Sequence, residues 1–324
     1  MISFFYVFSF CSFNDYYTGG FTEYISDQNV VVTSSHAWIH DSFFRSLTNG
    51  AIVSTLTDSI VVIEHCIFSE CTSNDVGGAI KFIGKNITMA KVCGYKCSHY
   101  KDGSDGMFSY LYGASTGEIR IIVSSLCFCA PKATSSNEAP MLVNDGIHRI
   151  KGLNSSNNYV FRRSFMYSVN TPDSLFEYSS VINSISSEIA CLGLYNTKIT
   201  ISKSNFWNNS QGSSSYGLIY QISNSYTPSS LISYSTFGDN QKIVSAPLFY
   251  VTAGTMTVIQ SSFYGTYSNN GAILSSIVSW YGTISLQHLS TYLCDAENHF
   301  QQGNTFINVA FNHVFFFMVT HIIL

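Results

Sequence analysis

The stretch Ile60-Val61-Val62-Ile63-Glu64-His65-Cys66-Ile67-Phe68, followed after a polar turn by Gly78-Ala79-Ile80-Lys81, decides the fold. It holds short β-branched runs broken by small and polar residues, with no helical apolar period between them. The closing phrase, a Gly or Pro before a small or apolar residue and a β-prone run, recurs along the chain. It reads Gly50-Ala51-Ile52, Gly106-Met107-Phe108, Pro140-Met141-Leu142, Gly217-Leu218-Ile219, Pro247-Leu248-Phe249 and Gly271-Ala272-Ile273, with Ser174-Leu175-Phe176 as a looser copy. Marks at 51, 79, 107, 141, 175, 218, 248 and 272 are 28, 28, 34, 34, 43, 30 and 24 residues apart, in the period range of solenoids. Such a chain is a stack of like units, and its function is sought on a face of the stack.

The strand phrase recurs at 87–95, 198–206 and 255–263, and its closing aromatic aligns the units. Phe68, Tyr95, Phe128, Phe206, Phe237 and Phe263 then form one column. Two positions earlier stand Cys66, Cys93, Leu126, Ser204, Ser235 and Ser261; three positions later stand Cys71, Ser98, Pro131, Asn209, Asn240 and Thr266. Rungs about 4.8 Å apart place like side chains over one another, which favours aromatic stacks and Asn ladders. The fold expected is all-β, a right-handed parallel β-helix of about eight to nine rungs, one domain over residues 20–305. Residues 1–19 and 306–324 are apolar flanks. The stretch from Ile147 to Thr197 is the least regular, and its weak strands fit an extra rung or a protruding loop.

Of the 324 residues 46% are hydrophobic and only 10% charged, with a formal net charge of -4, so Ser, Thr, Asn and Tyr must cover the surface. With no basic stripe, nucleic acid is excluded as a partner.

Gly77-Gly78-Ala79-Ile80, with the looser Asn49-Gly50-Ala51-Ile52 and Asn270-Gly271-Ala272-Ile273, resembles the GGAI motif of chlamydial-type polymorphic outer membrane proteins. Phe206-Trp207-Asn208-Asn209 and Phe237-Gly238-Asp239-Asn240 resemble their FxxN motif. Similar repeats occur in trichomonad surface proteins, within the pectin-lyase-like β-helix superfamily. The resemblance implies surface exposure, adhesion and an unidentified surface ligand, a host protein or a glycan. Only one unit carries GGAI in full, and Cys or Leu stands elsewhere in place of the family's Asn.

Nine cysteines admit three readings: small core thiols, disulfides between rungs, and a zinc site built from Cys93, Cys97, Cys127 and Cys129. The paired CxxC spacing of zinc sites is absent, so no metal and no cofactor is expected. Three sequons, at Asn86, Asn154 and Asn208, are candidate glycan acceptors. Ile2 to Cys11 has the length of a signal core without basic residues ahead of it. Phe306 to Leu324 fits either a last strand or a membrane anchor.

Catalysis, as a polysaccharide lyase or glycoside hydrolase, is the main rival reading beside a purely structural or vestigial repeat fragment, and polysaccharide cleavage needs carboxylates gathered on neighbouring rungs. The column through Glu64 runs on as Lys91, Ser124, Ser202, Ser233 and Ile259, which gives an exposed Glu64–Lys91 pair and no acid ladder. His36, His40 and His65 are expected at the surface or in turns. Asp102 and Asp105 lie in a Gly-rich turn; Asp173, Glu177 and Glu188 belong to the irregular stretch, where loops could fold back to assemble a site. The expectation is a non-enzymatic surface protein.

Overall fold

The computed structural model describes residues 13–277 apart from 102, 130–138, 213–215, 241–246 and 266–267, together with 284, 286, 289, 291, 293 and 294. Beyond one helical turn at Phe13–Tyr16, every described element is a strand, and every pairing among them is parallel. The chain is a β-solenoid of about eight turns. Described coil strands run from Thr22 to Ser275, and residues 295–305 lie outside the described residues. The flank 306–324 lies outside the described residues.

Each full turn lays a strand on three faces. Face one includes Ile52–Ser54, Met141–Asn144 and Ile219–Ile222; face two includes Ile60–Glu64, Ile147–Lys151 and Ile199–Ser202. In two turns these faces merge into single strands, Ile80–Ala90 and Ser109–Ile122. Face three is nine strands of three residues, from Phe43–Arg45 through Cys93–Tyr95 and Asn205–Trp207 to Ser262–Tyr264.

The brevity of face three comes from its corners. Before its strands Asp41, His65, Lys91, Val123, Tyr178, Lys203, Tyr234 and Gln260 have φ between 41° and 54°; after them Ser46, Glu70, Lys96, Phe128, Asn157, Asn183, Asn208 and Asp239 have φ between 49° and 55°. These left-handed corners cost non-glycine residues about 1–2 kcal/mol each. Two inward polar columns offset that cost by satisfying the corner backbone.

In the first column Ser179, Ser204 and Ser235 donate to the carbonyls of Glu177, Ser202 and Ser233 at 2.8, 2.8 and 2.9 Å. Their hydroxyls accept the amides of Leu153, Ser179 and Ser204 from the preceding turn at 3.0, 3.3 and 3.3 Å. In the second, Asn209 and Asn240 donate to the carbonyls of Val181 and Phe206 at 2.8 and 2.7 Å. Their side-chain oxygens accept the amides of Ser184 and Asn209 at 3.0 and 3.1 Å. Cys71, Cys97 and Cys129 occupy the same place in earlier turns, and their thiols donate to Phe44, Phe68 and Gly94 carbonyls at 3.5, 3.6 and 3.5 Å. The column therefore runs through Cys97, not Ser98; Pro131 and Thr266 lie outside the described residues.

Between the corners the middle residue points inward. Its register is Phe44, Phe68, Gly94, Leu126, Ser155, Val181, Phe206, Phe237, Phe263. Phe44–Phe68, Phe206–Phe237 and Phe237–Phe263 stack at 4.9, 5.1 and 5.4 Å between ring centroids. Tyr95 and Phe128 do not belong to this column. Tyr95 is the outward residue after Gly94, and Phe128 stands on a corner, 43% exposed. Aligning on the nearest aromatic slips the register wherever the inward residue is Gly or Leu. Phe108 from face one fills the room left at Gly94, where an added Cβ would lie 2.5 Å from its ring.

The repeat marks shift in the same way. The residues ahead of the face-one inward column are Ala51, Ala79, Phe108, Pro140, Phe165, Cys191, Leu218 and Leu248, with steps of 28, 29, 32, 25, 26, 27 and 30. Leu175 lies on face two, so the stretch from Ile147 to Thr197 holds regular short turns and not a loop. Gly77 and Gly78 serve a tight corner between turns: Gly77 has φ +74°, and a Cβ on Gly78 would lie 2.2 Å from the Ser98 carbonyl oxygen. Gly271 repeats the positive φ at +93°.

The core is continued on face two by the column Ile39, Ile63, Met89, Ile121, Ile150, Phe176, Ile201, Ile232 and Val258. His148 is also inside, fully buried, with Nε2 at 2.9 Å from the Asp145 carbonyl and Nδ1 at 3.2 Å from the Ser168 hydroxyl. Glu64 is fully buried as well. It pairs in register with Ala90, not Lys91, so the exposed Glu64–Lys91 ion pair does not form.

Two outcomes follow from this packing. Phe206→Ala removes a fully buried ring and lowers stability by about 3–5 kcal/mol in urea melts, whereas Phe128→Ala costs below about 1 kcal/mol. Burial pushes the His148 imidazole down from 6.5 to about 4, aided by nearby Arg149. The unfolded chain then binds the extra proton first, so stability falls as pH drops through the interval from 6.5 to about 4, by up to about 3 kcal/mol. Melts of His148→Gln against wild type over that interval should show the slope much reduced in the variant.

Candidate functional site

Segments near the two ends of the described chain cover two of the three faces. On face two the segment at Phe13–Tyr16 packs over the outward residues. Phe13 is buried and stacks on Phe21 at 4.9 Å, and the Tyr17 hydroxyl lies 3.1 Å from Thr88 Oγ1 with Arg120 5.7 Å over its ring. Outward Val62 and Thr88 accordingly have no exposed surface.

Beside this cover three carboxylates and two histidines gather, from different strands and a corner, so no column of the repeat contains them together. His40 Nε2 is 2.7 Å from Glu23 Oε1 and its Nδ1 2.8 Å from Asp41 Oδ2, while its ring stacks on Trp38 at 3.7 Å. His40 is 7% exposed, which corrects its placement at the surface; His65 stands exposed on a corner, as expected. Burial, and then Lys91, push the His65 imidazole down. The Tyr16 hydroxyl donates to Glu64 Oε1 at 3.4 Å. Both His40 nitrogens are engaged by carboxylates and Tyr16 caps Glu64, so the cluster clamps the first turns together, with Glu23, Asp41 and His65 exposed at its edge.

On face three the described residues Ile284, Leu289, Thr291, Leu293 and Cys294 lie against part of the outward columns. Asn205 donates to the Ile284 carbonyl at 2.8 Å and accepts its amide at 2.9 Å; Ser125 donates to the Leu289 carbonyl at 2.7 Å. A disulfide joins Cys93 to Cys294, 201 residues apart. This overturns the zinc reading, since Cys93 and Cys127 point outward while Cys97 and Cys129 point into the core. Nor do the in-register Cys71 and Cys97 bond to each other. Among the described residues no group of three or more His, Cys, Asp or Glu is set for a metal ion.

Face one makes no hydrogen bond or ring contact with the described residues of either covering segment. Its outward column reads Val53, Lys81, Tyr110, Leu142, Tyr167, Gly193, Tyr220, Tyr250. Arg163 lies flat over Tyr167, 3.6 Å from its centroid, in the space a side chain on Gly193 would need, and pairs with Asp105 at 3.5 Å. Tyr216 stands edge-on to Tyr220 and Tyr250 at 5.1 and 5.9 Å. At the other end of the row a cleft is lined by Asn49, Val53, Ser73, Asp75 and Lys81. Lys101 and Lys81, at 2.8 and 2.5 Å, hold the Asp75 carboxyl well below the usual carboxylate range. The carboxylates Asp75 and Asp105 along this face are thus each engaged by a cation, and tyrosine rings are its main feature.

The other acidic candidates are dispersed. Asp173 pairs with Arg149 at 2.7 Å, Glu188 with Arg162 at 3.2 Å, and Glu177 accepts from Ser202 at 2.9 Å; Asp102 lies outside the described residues. Of the sequons, Asn154 is 1% exposed within face three and cannot carry a glycan in this fold. Asn86 accepts the Glu118 amide at 2.8 Å and Asn208 donates to Asn183 at 2.7 Å, both half-buried. Comparison of the chain with protein-family models, with curated proteins and with solved structures finds no match.

Proposed function

We propose that this is a non-enzymatic β-helical cell-surface protein, of the pectin-lyase-like kind with polymorphic-outer-membrane-type repeats, that holds a host or matrix molecule against face one. The observation that carries this reading is the tyrosine row that the described residues of the end segments leave uncovered. Tyr110 and Tyr250 are half-buried, so their rings are held while part of each stays exposed. Rigid aromatics provide contact area at little entropic cost, which is why they dominate binding hot spots. A catalytic reading lacks its requirement on this face, because Asp75 and Asp105 are each engaged by a cation.

The test is binding of purified protein to an immobilised basement-membrane extract, with the Tyr110→Ala/Tyr250→Ala double variant and Tyr95→Ala on face three as control. The double variant should bind about tenfold more weakly, the equivalent of about 1.4 kcal/mol, and the control should match wild type. Equal binding by all three proteins overturns the assignment of the face. Release of unsaturated or reducing ends from pectate, lost on Asp75→Asn, would replace the adhesive reading with a carbohydrate-active one.

A further inference from the structure

Three turns near the start of the stack carry cysteine where later turns carry asparagine. Cys71, Cys97 and Cys129 are fully buried free thiols, each two residues after a face-three strand, Ile67–Ser69, Cys93–Tyr95 and Ser125–Cys127. Thr72 pairs with Ser98, and Tyr95 with Cys127, so the three thiols stand over one another on successive turns. That stacking sets neighbouring Cα atoms about 4.8 Å apart, inside the span of about 4.4–6.8 Å that a disulfide bridges.

An asparagine in this place has separate donors and acceptors, whereas a thiol has a single proton. Cys97 Sγ lies 3.6 Å from the Phe68 carbonyl and 3.4 Å from the Tyr95 carbonyl, and it also donates to the Cys71 sulfur. The two sulfurs are therefore already in contact, and they are not equivalent. The donation from Cys97 holds the Cys71 thiol below its ordinary range against the effect of burial; burial, and then the same bond, push the Cys97 thiol up. Burial also pushes the Cys129 thiol up, to about 12. Cys71 is the outermost of the three as well. The same place in the preceding turn belongs to half-buried Leu47, just after the edge strand Phe43–Arg45 of this face.

We propose that Cys71 and Cys97 are a redox-sensitive pair that hydrogen peroxide joins into a disulfide between neighbouring turns, with Cys71 as the attacking thiol and Cys97 as the resolving one. Cys71 has no exposed surface, so a local displacement of Leu47 precedes the reaction. The Cys71 thiolate attacks one peroxide oxygen, the O–O bond breaks, and the leaving hydroxide takes the Cys71 proton as water. Cys71 is left as a sulfenic acid. The Cys97 sulfur then attacks Cys71 Sγ, the S–O bond breaks, and hydroxide leaves with the Cys97 proton as a second water. Two thiols and one peroxide thus give one disulfide and two waters, the sulfurs losing two electrons and the peroxide gaining them. The bond ties two turns together, and it removes the S–H donors from the Phe44, Ser69, Phe68 and Tyr95 carbonyls.

The full chain is split into peroxide-treated and dithiothreitol-treated portions, blocked with N-ethylmaleimide, digested with trypsin and mapped by mass spectrometry, with circular dichroism confirming that each variant is folded. The bond joins the tryptic peptides 46–81 and 97–101. That linked pair should be at least about tenfold more abundant after peroxide than after dithiothreitol, absent in Cys71→Ser and Cys97→Ser, and unchanged in Cys129→Ser. Dimedone, which traps sulfenic acids, should label Cys71 in Cys97→Ser at least about tenfold more than Cys97 in Cys71→Ser. A link from 97–101 to 121–132 in its place, a 46–81 link that survives Cys71→Ser, or equal dimedone labelling overturns the proposal. So does the absence of any link in folded wild type at a peroxide dose that oxidises methionines in the same digest.

Discussion

Everything in this molecule depends on how the two left-handed corners of face three are satisfied. Each corner turns the backbone sharply and would leave buried amides and carbonyls without partners. Ser, Asn or Cys side chains pointing inward beside the corner supply them from the neighbouring turn. A net contribution of about 0.5–1.5 kcal/mol per hydrogen bond, with two or more bonds per corner, is of the size needed to offset the corner strain. The same bonds tie each turn to the next, so corner geometry and stacking are one constraint.

From that constraint the faces follow. Two corners separated by four residues place the polar-column side chain first and then a three-residue strand with one inward side chain, which builds the Phe206–Phe237–Phe263 stack, and two outward ones, among them Asn205, which binds Ile284. Faces one and two are longer and carry the aliphatic core. With Phe13 and Tyr17 on one face and Ile284 to Cys294 on another, the tyrosine row on face one is what the described chain leaves uncovered.

The repeat itself was legible because like residues recur where like environments recur. Phe206, Phe237, Phe263, Asn209 and Asn240 stand where the alignment put them, since those turns use the same side chain for the same task. At Gly94 and Leu126 the column is filled by a ring from another face or by an aliphatic residue, so alignment on aromatics selects Tyr95 and Phe128 instead. Two turns between Ile147 and Thr197 were hidden for the same reason, with Ser155 and Val181 in the aromatic place. Cysteine as a substitute for asparagine was invisible in composition, because the shared task is donation to a carbonyl. The covering segments, the Cys93–Cys294 bond and the Glu23–His40–Asp41 clamp join residues by folding and not by spacing, so no period reveals them.

The role of the polar columns is tested most directly by amide hydrogen exchange in Asn209→Ala. The Ser184 amide donates to Asn209 Oδ1 at 3.0 Å, whereas the Val181 amide belongs to the sheet ladder of the same turn. Loss of the side chain should accelerate exchange at Ser184 by about tenfold or more while Val181 stays protected. Unchanged protection at Ser184, with the variant folded, would contradict the view that these side chains hold the corners.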